Sequence, residues 1–290
     1  MAKKRKKTLK LIYAIVVLIL AAISYFVVEP VIHPDADCYV DFIDCGQGDS
    51  SLIVSDGSAT LIDATTGENG SDVVAHLQKR GIKKIDHFVL THPHEDHIGG
   101  AVAVLEAVEV ENIYMMRPTK GTEPTTSVYL NLLKKIRSLG KKVHTVEVGE
   151  TFECGSAVFE VLGPVEAYED LNDQSVILRG VIGSVSFLFT GDQETSAERD
   201  LVEKYGDSLN STVLKVGHHG SSGSSSKAFL NAVSPMYAVI SCEDGNSYGH
   251  PHKEALKRLE KINASVYRTD LNGTITMTTD GANVKVTVER

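Results

Sequence analysis

"HFVLTHPHEDHIGG", residues 87–100, decides how the chain is read. An apolar run stops at Thr91, and four metal-seeking side chains follow within six positions: His92, His94, Asp96 and His97. Two glycines close the stretch. His92 and His94 alternate, so an extended or turning segment aims both at one point. Asp96 and His97 fall where a helix begins and face a second point nearby. Imidazole and carboxylate donors suit zinc, manganese or iron. A structural zinc site is closed by four ligands, whereas a catalytic site keeps one position open to water.

Outward from this cluster, the other candidates sit where apolar runs end. Asp63 follows such a run in "TLIDATTG", and Asp192 does so in "FLFTGDQE". His218 and His219 lie in "VLKVGHHGSS", and His250 and His252 in "GNSYGHPH". Polar groups at strand ends gather on one sheet edge in layered α/β folds. So many candidates on separate segments point to two divalent ions. The isolated His33, His76, His87 and His144 read as surface or core residues. His252 reads as helix-terminal and exposed. "GSSGSSS", residues 220–226, directly follows the His pair and reads as an active-site loop rather than a flexible linker.

Short strand-like pieces recur from "CYVDFIDC" to "NVKVTV", with glycines at most junctions. Between them lie helix-like segments at 72–80, 100–108, 127–139, 194–204, 227–233 and 252–262. The pattern predicts a mixed, layered α/β fold. No linker-like break divides residues 38–290, so one domain is expected there. Cys38, Cys45, Cys154 and Cys242 lack zinc-finger spacing and are expected as buried or unpaired thiols, with Cys38 and Cys45 on one strand.

The 290 residues carry a net charge of -9. Six Lys or Arg crowd residues 1–10, so the remainder is more acidic still. Residues 11–28 hold no charge. A helix of that length spans roughly 27 Å, close to a hydrocarbon core. The basic flank predicts a cytoplasmic N-terminus, a transmembrane signal-anchor at 11–28, a linker at 29–37, and everything beyond it outside. A cleaved signal peptide, giving a secreted protein, is the alternative. It calls for a shorter apolar core and a small-x-small site, and no clean one precedes Pro30. The acidic balance argues against a broad nucleic-acid surface.

"THPHEDHIGG" resembles the signature of the metallo-β-lactamase superfamily. Over residues 38–290 the chain is similar to the hydrolase domain of ComEC, the competence DNA-uptake channel. The segments that carry this include "DFIDCGQGDSSLI", "LNDQSVIL", "LKVGHHGSSGSSS" and "ISCEDGNSYGHPH". The resemblance implies a four-layer αββα sandwich with a dinuclear metal site, here preceded by the one transmembrane helix. It implies His92 and His94 as ligands of the first metal, Asp96 and His97 of the second, and Asp192 as the bridging carboxylate. One of His218 and His219, with His219 favoured, is the later histidine ligand. It implies Asp63 as the residue that orients the ligand loop from behind.

The superfamily's usual histidine between the first cluster and the bridging aspartate has no clear counterpart. His144 lies in that interval but inside an apparent strand. "LNDQS", residues 171–175, takes the place, so Asn172 or Asp173 is expected to complete the first metal's shell, with Ser175 nearby. Oxygen is a harder ligand than imidazole, which makes Mn2+ as reasonable as Zn2+. Gln47 or Asp49 is expected at the site rim. Asp96 and His250 are the residues expected at the chemistry, His250 protonating a leaving group or steadying an oxyanion. Arg117, Lys120, Lys215 and Arg268 are expected as local phosphate guides.

Two metals about 3.5–4 Å apart would activate a shared water for hydrolysis. The expected function is a membrane-anchored, extracytoplasmic phosphodiesterase or nuclease acting on DNA, with no obligate protein partner. The alternatives are an envelope phosphoesterase on a small substrate such as phosphorylcholine, and a non-catalytic competence or DNA-binding accessory. The accessory would have lost its ligands.

Overall fold

Apolar side chains on both sides of the central strands bury two faces of each sheet. This is seen in the computed structural model, which describes residues 38–290. In β1 (Cys38–Phe42), Val40 and Phe42 point one way and Tyr39 the other. Such two-sided burial requires cover on both faces. The first sheet continues with β2 (Ser51–Ser55), β3 (Ser58–Ile62), β4 (Lys84–Leu90), β5 (Glu109–Met115) and β6 (Val143–Thr145). The second contains β7 (Thr151–Cys154), β8 (Ala157–Gly163), β9 (Ile177–Ile182), β10 (Val185–Phe189), β11 (Val213–Lys215), β12 (Tyr237–Ile240) and β13 (Ser265–Arg268). The last strands, β14 (Ile275–Thr279) and β15 (Val284–Val288), return to the first sheet, where β14 pairs with β1.

One core cluster lies between the sheets, joining Val40, Phe42 and Val89 to Phe159, Phe187 and Phe189. A second packs the outer face of the first sheet against α1 (Gly70–Lys79), α2 (Glu95–Ile98), α3 (Ala101–Ala107) and α4 (Ser127–Ser138). A third packs the second sheet against α5 (Thr195–Tyr205), α6 (Lys227–Val233) and α7 (Lys253–Lys261). A short α8 (Thr269–Asn272) follows β13. The layers are therefore helix, sheet, sheet, helix, as expected.

Each sheet has a parallel half: β3 to β6 in the first, β10 to β13 in the second. Parallel strands end on the same edge, and polar loops leave there. Asp63 follows β3, Thr91 and His92 follow β4, Asp192 follows β10, and His218 and His219 follow β11. The fold thus delivers all these segments to one rim.

The six expected helices form within a few residues of their anticipated bounds. β7 was not anticipated. β1 ends at Phe42, so Cys45 lies beyond the strand instead of sharing it with Cys38. The chain turns there to close Gly46 and Gly48 against the Asn69 and Thr65 side chains. All four cysteines are buried and free. Residues 11–28 and 29–37, with His33, lie outside the described residues. Among the described residues no helix is long and apolar enough to cross a membrane.

Candidate metal centre

The loop after β4 is knitted to the loop after β3 through the backbone: Ala64 N donates to His97 O, and Gly100 N to Ala64 O. The two glycines explain the close fit. A Cβ on Gly99 would lie 2.2 Å from Gly67 N, and one on Gly100 2.2 Å from Ala64 O. Real contacts never come so near, so only glycine lets the loops lie this close. The result places Asp63 behind the ligand loop. Its Oδ1 accepts from Thr91 N at 2.8 Å. Its Oδ2 accepts from Thr91 Oγ1 at 2.7 Å and meets His97 Nδ1 at 2.7 Å. His97 is thereby held with Nε2 facing forward, the orienting role expected of Asp63.

Asp192 is the hub. Its Oδ1 lies 3.1 Å from His97 Nε2. Its Oδ2 lies 3.9 Å from His92 Nε2, 3.8 Å from His218 Nε2 and 3.7 Å from His219 Nε2. Asp96 Oδ2 is 3.3 Å from His219 Nε2, and His94 Nδ1 is 3.1 Å from His92 Nε2. His97 Nε2, His219 Nε2 and Asp192 Oδ1 are buried with no aligned hydrogen-bond partner. Unpartnered buried polar atoms are costly and uncommon. Asp96, His97, Asp192 and His219 bring ligand atoms within 4.8 Å of one another. Two imidazole nitrogens and two carboxylates around such a point are the donor set of a divalent cation, so the residues present fit a metal.

Charge balance tells the same story. Burial and the neighbouring His97 push His92 well below the ordinary histidine range, which keeps it in the neutral, ligating form. Burial works against protonation of His97 too, but Asp192 and Asp63 overcome it and raise this histidine well above that range. Without metal, these two carboxylates favour the protonated ring of His97, and a cation must compete with that proton. Metal loading is expected to release protons, and affinity is expected to rise with pH. Calorimetric titration of the chain in buffers of different ionisation enthalpy reads this directly; buffer-independent heats would refute it.

The structure brings together more than the sequence suggested, and excludes some of it. Both His218 and His219 reach Asp192, where one was expected. They are consecutive residues in the left-handed region, with φ of 50° and 52°, and this double turn presents both rings to the same carboxylate. Glu194, not anticipated, meets His218 Nδ1 at 3.0 Å. Ser175 Oγ lies 3.3 Å from His92 Nδ1 and accepts from Asp192 N. Asn172 Oδ1 is buried without a partner. Asp173 is turned elsewhere, because its Oδ1 accepts from Glu194 N at the start of α5.

Gln47 stays on the rim, with its Oε1 accepting from Glu243 N. Asp49 does not: it is 4% exposed and pairs with Lys215, itself 2% exposed. Lys215 and Arg268 are therefore not phosphate guides, since Arg268 is held by Asp270. Arg117 and Lys120 remain exposed on the loop after β5. His250 packs against the pair, its ring 5.5 Å from His218 and 6.2 Å from His219, with Nδ1 buried and unpartnered. Burial, then His219 and His218, lower it to about 4. His252 immediately precedes α7, half-buried rather than exposed, its Nδ1 accepting from Ser222 N. His76, His87 and His144 bond Asp41, Glu153 O and Glu150, away from the cluster.

The serine-rich loop is pinned, not free. Arg258 donates to the carbonyls of Ser222, Ser224 and Ser225. Glu198 accepts from Ser225 N and Ser226 N on the other side. The sequence signal for this clamp was an Arg and a Glu on helical faces, which in most helices are simply solvated.

Compared with known families, residues 43–243 match the Metallo-beta-lactamase superfamily. ComE operon protein 3 of Bacillus subtilis (strain 168) is 33% identical over 258 residues, covering 81% of this chain and 32% of that protein. Competence protein ComA of Neisseria gonorrhoeae is 34% identical over 262 residues, covering 90% and 34%. The chain thus spans about a third of the length of these relatives. Among solved structures, CmlA, a diiron β-hydroxylase from Streptomyces venezuelae, superposes with a TM-score of 0.58 at 15% identity, over 86% of this chain and 55% of that one. That likeness is one of fold alone. With a match spanning more than half of its residues, laid over the rim that gathers the histidines and aspartates, the chain belongs to the metallo-β-lactamase superfamily.

Proposed function

We propose that residues 38–290 form a metal-dependent phosphodiester hydrolase acting on DNA, held outside the membrane by an anchor at 11–28. One observation carries the chemistry: both oxygens of Asp192 lie among imidazole nitrogens. His97 stands at Oδ1, with His92, His218 and His219 around Oδ2. A carboxylate so placed would help to hold divalent ions, Zn2+ or Mn2+. When bound, these supply an activated water and charge compensation for a phosphoryl group. His92, His94, Asp96, His97, Asp192, His218 and His219 would hold them, and Asp63 and Glu194 fix ring orientation. His250 keeps an unpartnered ring nitrogen beside His218 and His219. From there it can give a hydrogen bond to a phosphoryl or leaving-group oxygen. DNA as the substrate is supported by the similarity to two competence proteins and by the exposed Arg117 and Lys120.

A second reading has its own support. A cleft of about 320 Å³ beside Asp96 is lined by Gln47, Thr66, Glu68, Glu95 and Tyr248, with no Lys or Arg. Such a wall suits a small phosphoester better than a polyanion. The test uses the purified full chain, stripped and reloaded with Mn2+ or Zn2+, on single- and double-stranded DNA and on bis(p-nitrophenyl) phosphate. Metal-dependent DNA cleavage that His94→Ala abolishes is the expected result. Turnover of the small ester alone moves the assignment to the second reading. Silence on every substrate, with metal bound, sinks both.

A further inference from the structure

We propose that the buried Asp49–Lys215 pair is a positioning device for His219, built to hold its metal-facing nitrogen forward. The proposal rests on the metal reading above. Asp49 lies in the turn after β1, in the first sheet; Lys215 is the last residue of β11, in the second. Lys215 Nζ donates to Asp49 Oδ2 at 2.7 Å and to Val216 O at 3.1 Å. The other carboxylate oxygen, Oδ1, is buried with no hydrogen-bond partner and lies 3.6 Å from His219 Nδ1.

His219 therefore has two distinct sides. Nδ1 faces Ser241 O at 3.0 Å and the Asp49 carboxylate. Nε2 faces Asp96 and Asp192. A carbonyl and a carboxylate behind the ring place its hydrogen on Nδ1, which leaves the Nε2 lone pair toward the site. Asp63 likewise meets His97 Nδ1 from behind. The two buried histidines of the four-residue cluster thus each have a carboxylate at the back. Asp49 is itself anchored to the ligand loop, since its backbone N donates to Asp96 O, and its carbonyl accepts from Thr65 N.

The lysine follows from the charge. Asp49, Asp63 and His97 bring ligand atoms within 4.8 Å of one another, so two buried carboxylates crowd one spot. Like charges so close repel each other. Lys215 offsets one of them without entering the metal-facing side. A pair needed only to join the sheets would gain nothing from charge, because a buried ion pair is often no more stabilising than an apolar pair of similar volume.

That contrast gives the test. In the full chain, Asp49→Asn leaves Lys215 uncompensated. Adding Lys215→Met removes the stranded charge and leaves the net charge of the site as it was. Mn2+ and Zn2+ affinity, by competition with a chromophoric chelator, and the melting temperature of the metal-free chain are measured for both variants. The double variant is expected to melt close to the unmutated chain yet bind the metal about 10–100-fold more weakly, the usual cost of losing an outer carboxylate. Recovery of both stability and affinity in the double variant would make the pair a structural staple and overturn the proposal. So would an affinity in Asp49→Asn equal to that of the unmutated chain. An unmutated chain that binds neither metal would overturn the metal reading first, and this proposal with it.

Discussion

Asp192→Asn is expected to abolish stable divalent-metal binding and, with it, all hydrolysis. The side chain keeps its shape, so the effect isolates one charge and one oxygen. Asp192 is 2% exposed and stands within 4 Å of four imidazoles. Burial alone would raise its pKa, but His97 and His219 hold it well below the ordinary carboxylate range. The neighbouring rings thus favour its anionic form at the centre of the cluster. Asp63→Asn is the calibrating control. It removes an orienting partner behind His97 and is expected to cost about 10–100-fold in metal affinity. Asp192→Asn should cost clearly more, at least about 100-fold on the same scale. Metal content after dialysis and chelator competition measure both. Equal losses in the two variants would mean that Asp192 only orients rings and does not itself hold the metal.

The sequence carried the layers and the cluster because both are local. Strands buried on both faces read as short apolar runs, and the four ligand-type residues of 92–97 fall within two turns of chain. What it could not carry depends on distant pairing. Lys215 sits in a wholly buried strand, "VLK", and its partner is 166 positions away. A cation beside a candidate site reads as a phosphate guide until the fold shows it neutralised. Asp173 falls in the segment that replaces the usual histidine, yet it caps backbone at Glu194 instead. The second histidine of the pair became a neighbour of Asp192 only through two successive left-handed residues, a conformation no periodicity announces. β7 was missed because only Phe152 and Cys154 of "TFEC" are buried, too short a pattern to stand out.

Asp41→Ala should be the most damaging change away from the metal centre. Asp41 is fully buried on β1, in the middle of the first sheet, between β2 and β14. Its Oδ2 accepts from Arg80 Nε at 2.7 Å and meets His76 Nε2 at 2.8 Å. Its Oδ1 accepts from Arg80 Nη2 at 2.7 Å and from Thr276 Oγ1 at 2.6 Å. One carboxylate thus ties α1 to two strands of the sheet. Removing it takes a carboxylate and its two hydrogen bonds from a buried guanidinium, a loss of about 3–5 kcal/mol. Chemical denaturation of the metal-free chain measures this, and a loss under about 1 kcal/mol would show that water reaches Arg80 and replaces the carboxylate.

The pH dependence supplies an independent check on the same residue. Burial pushes the Asp41 carboxyl up, but His76 and then Arg80 overcome it, so its folded pKa lies below the ordinary value. A depressed folded pKa contributes stability above the unfolded value of about 3.9, and that stability fades as pH falls through the folded value. Asp41→Asn cannot titrate there. Its stability should therefore fall less steeply below about pH 4 than that of the unmutated chain, and the two curves should converge in acid. Curves that stay parallel down to the acid transition would mean that this carboxylate is not what the acid limb reports, and the buried pair would then hold by packing rather than by charge.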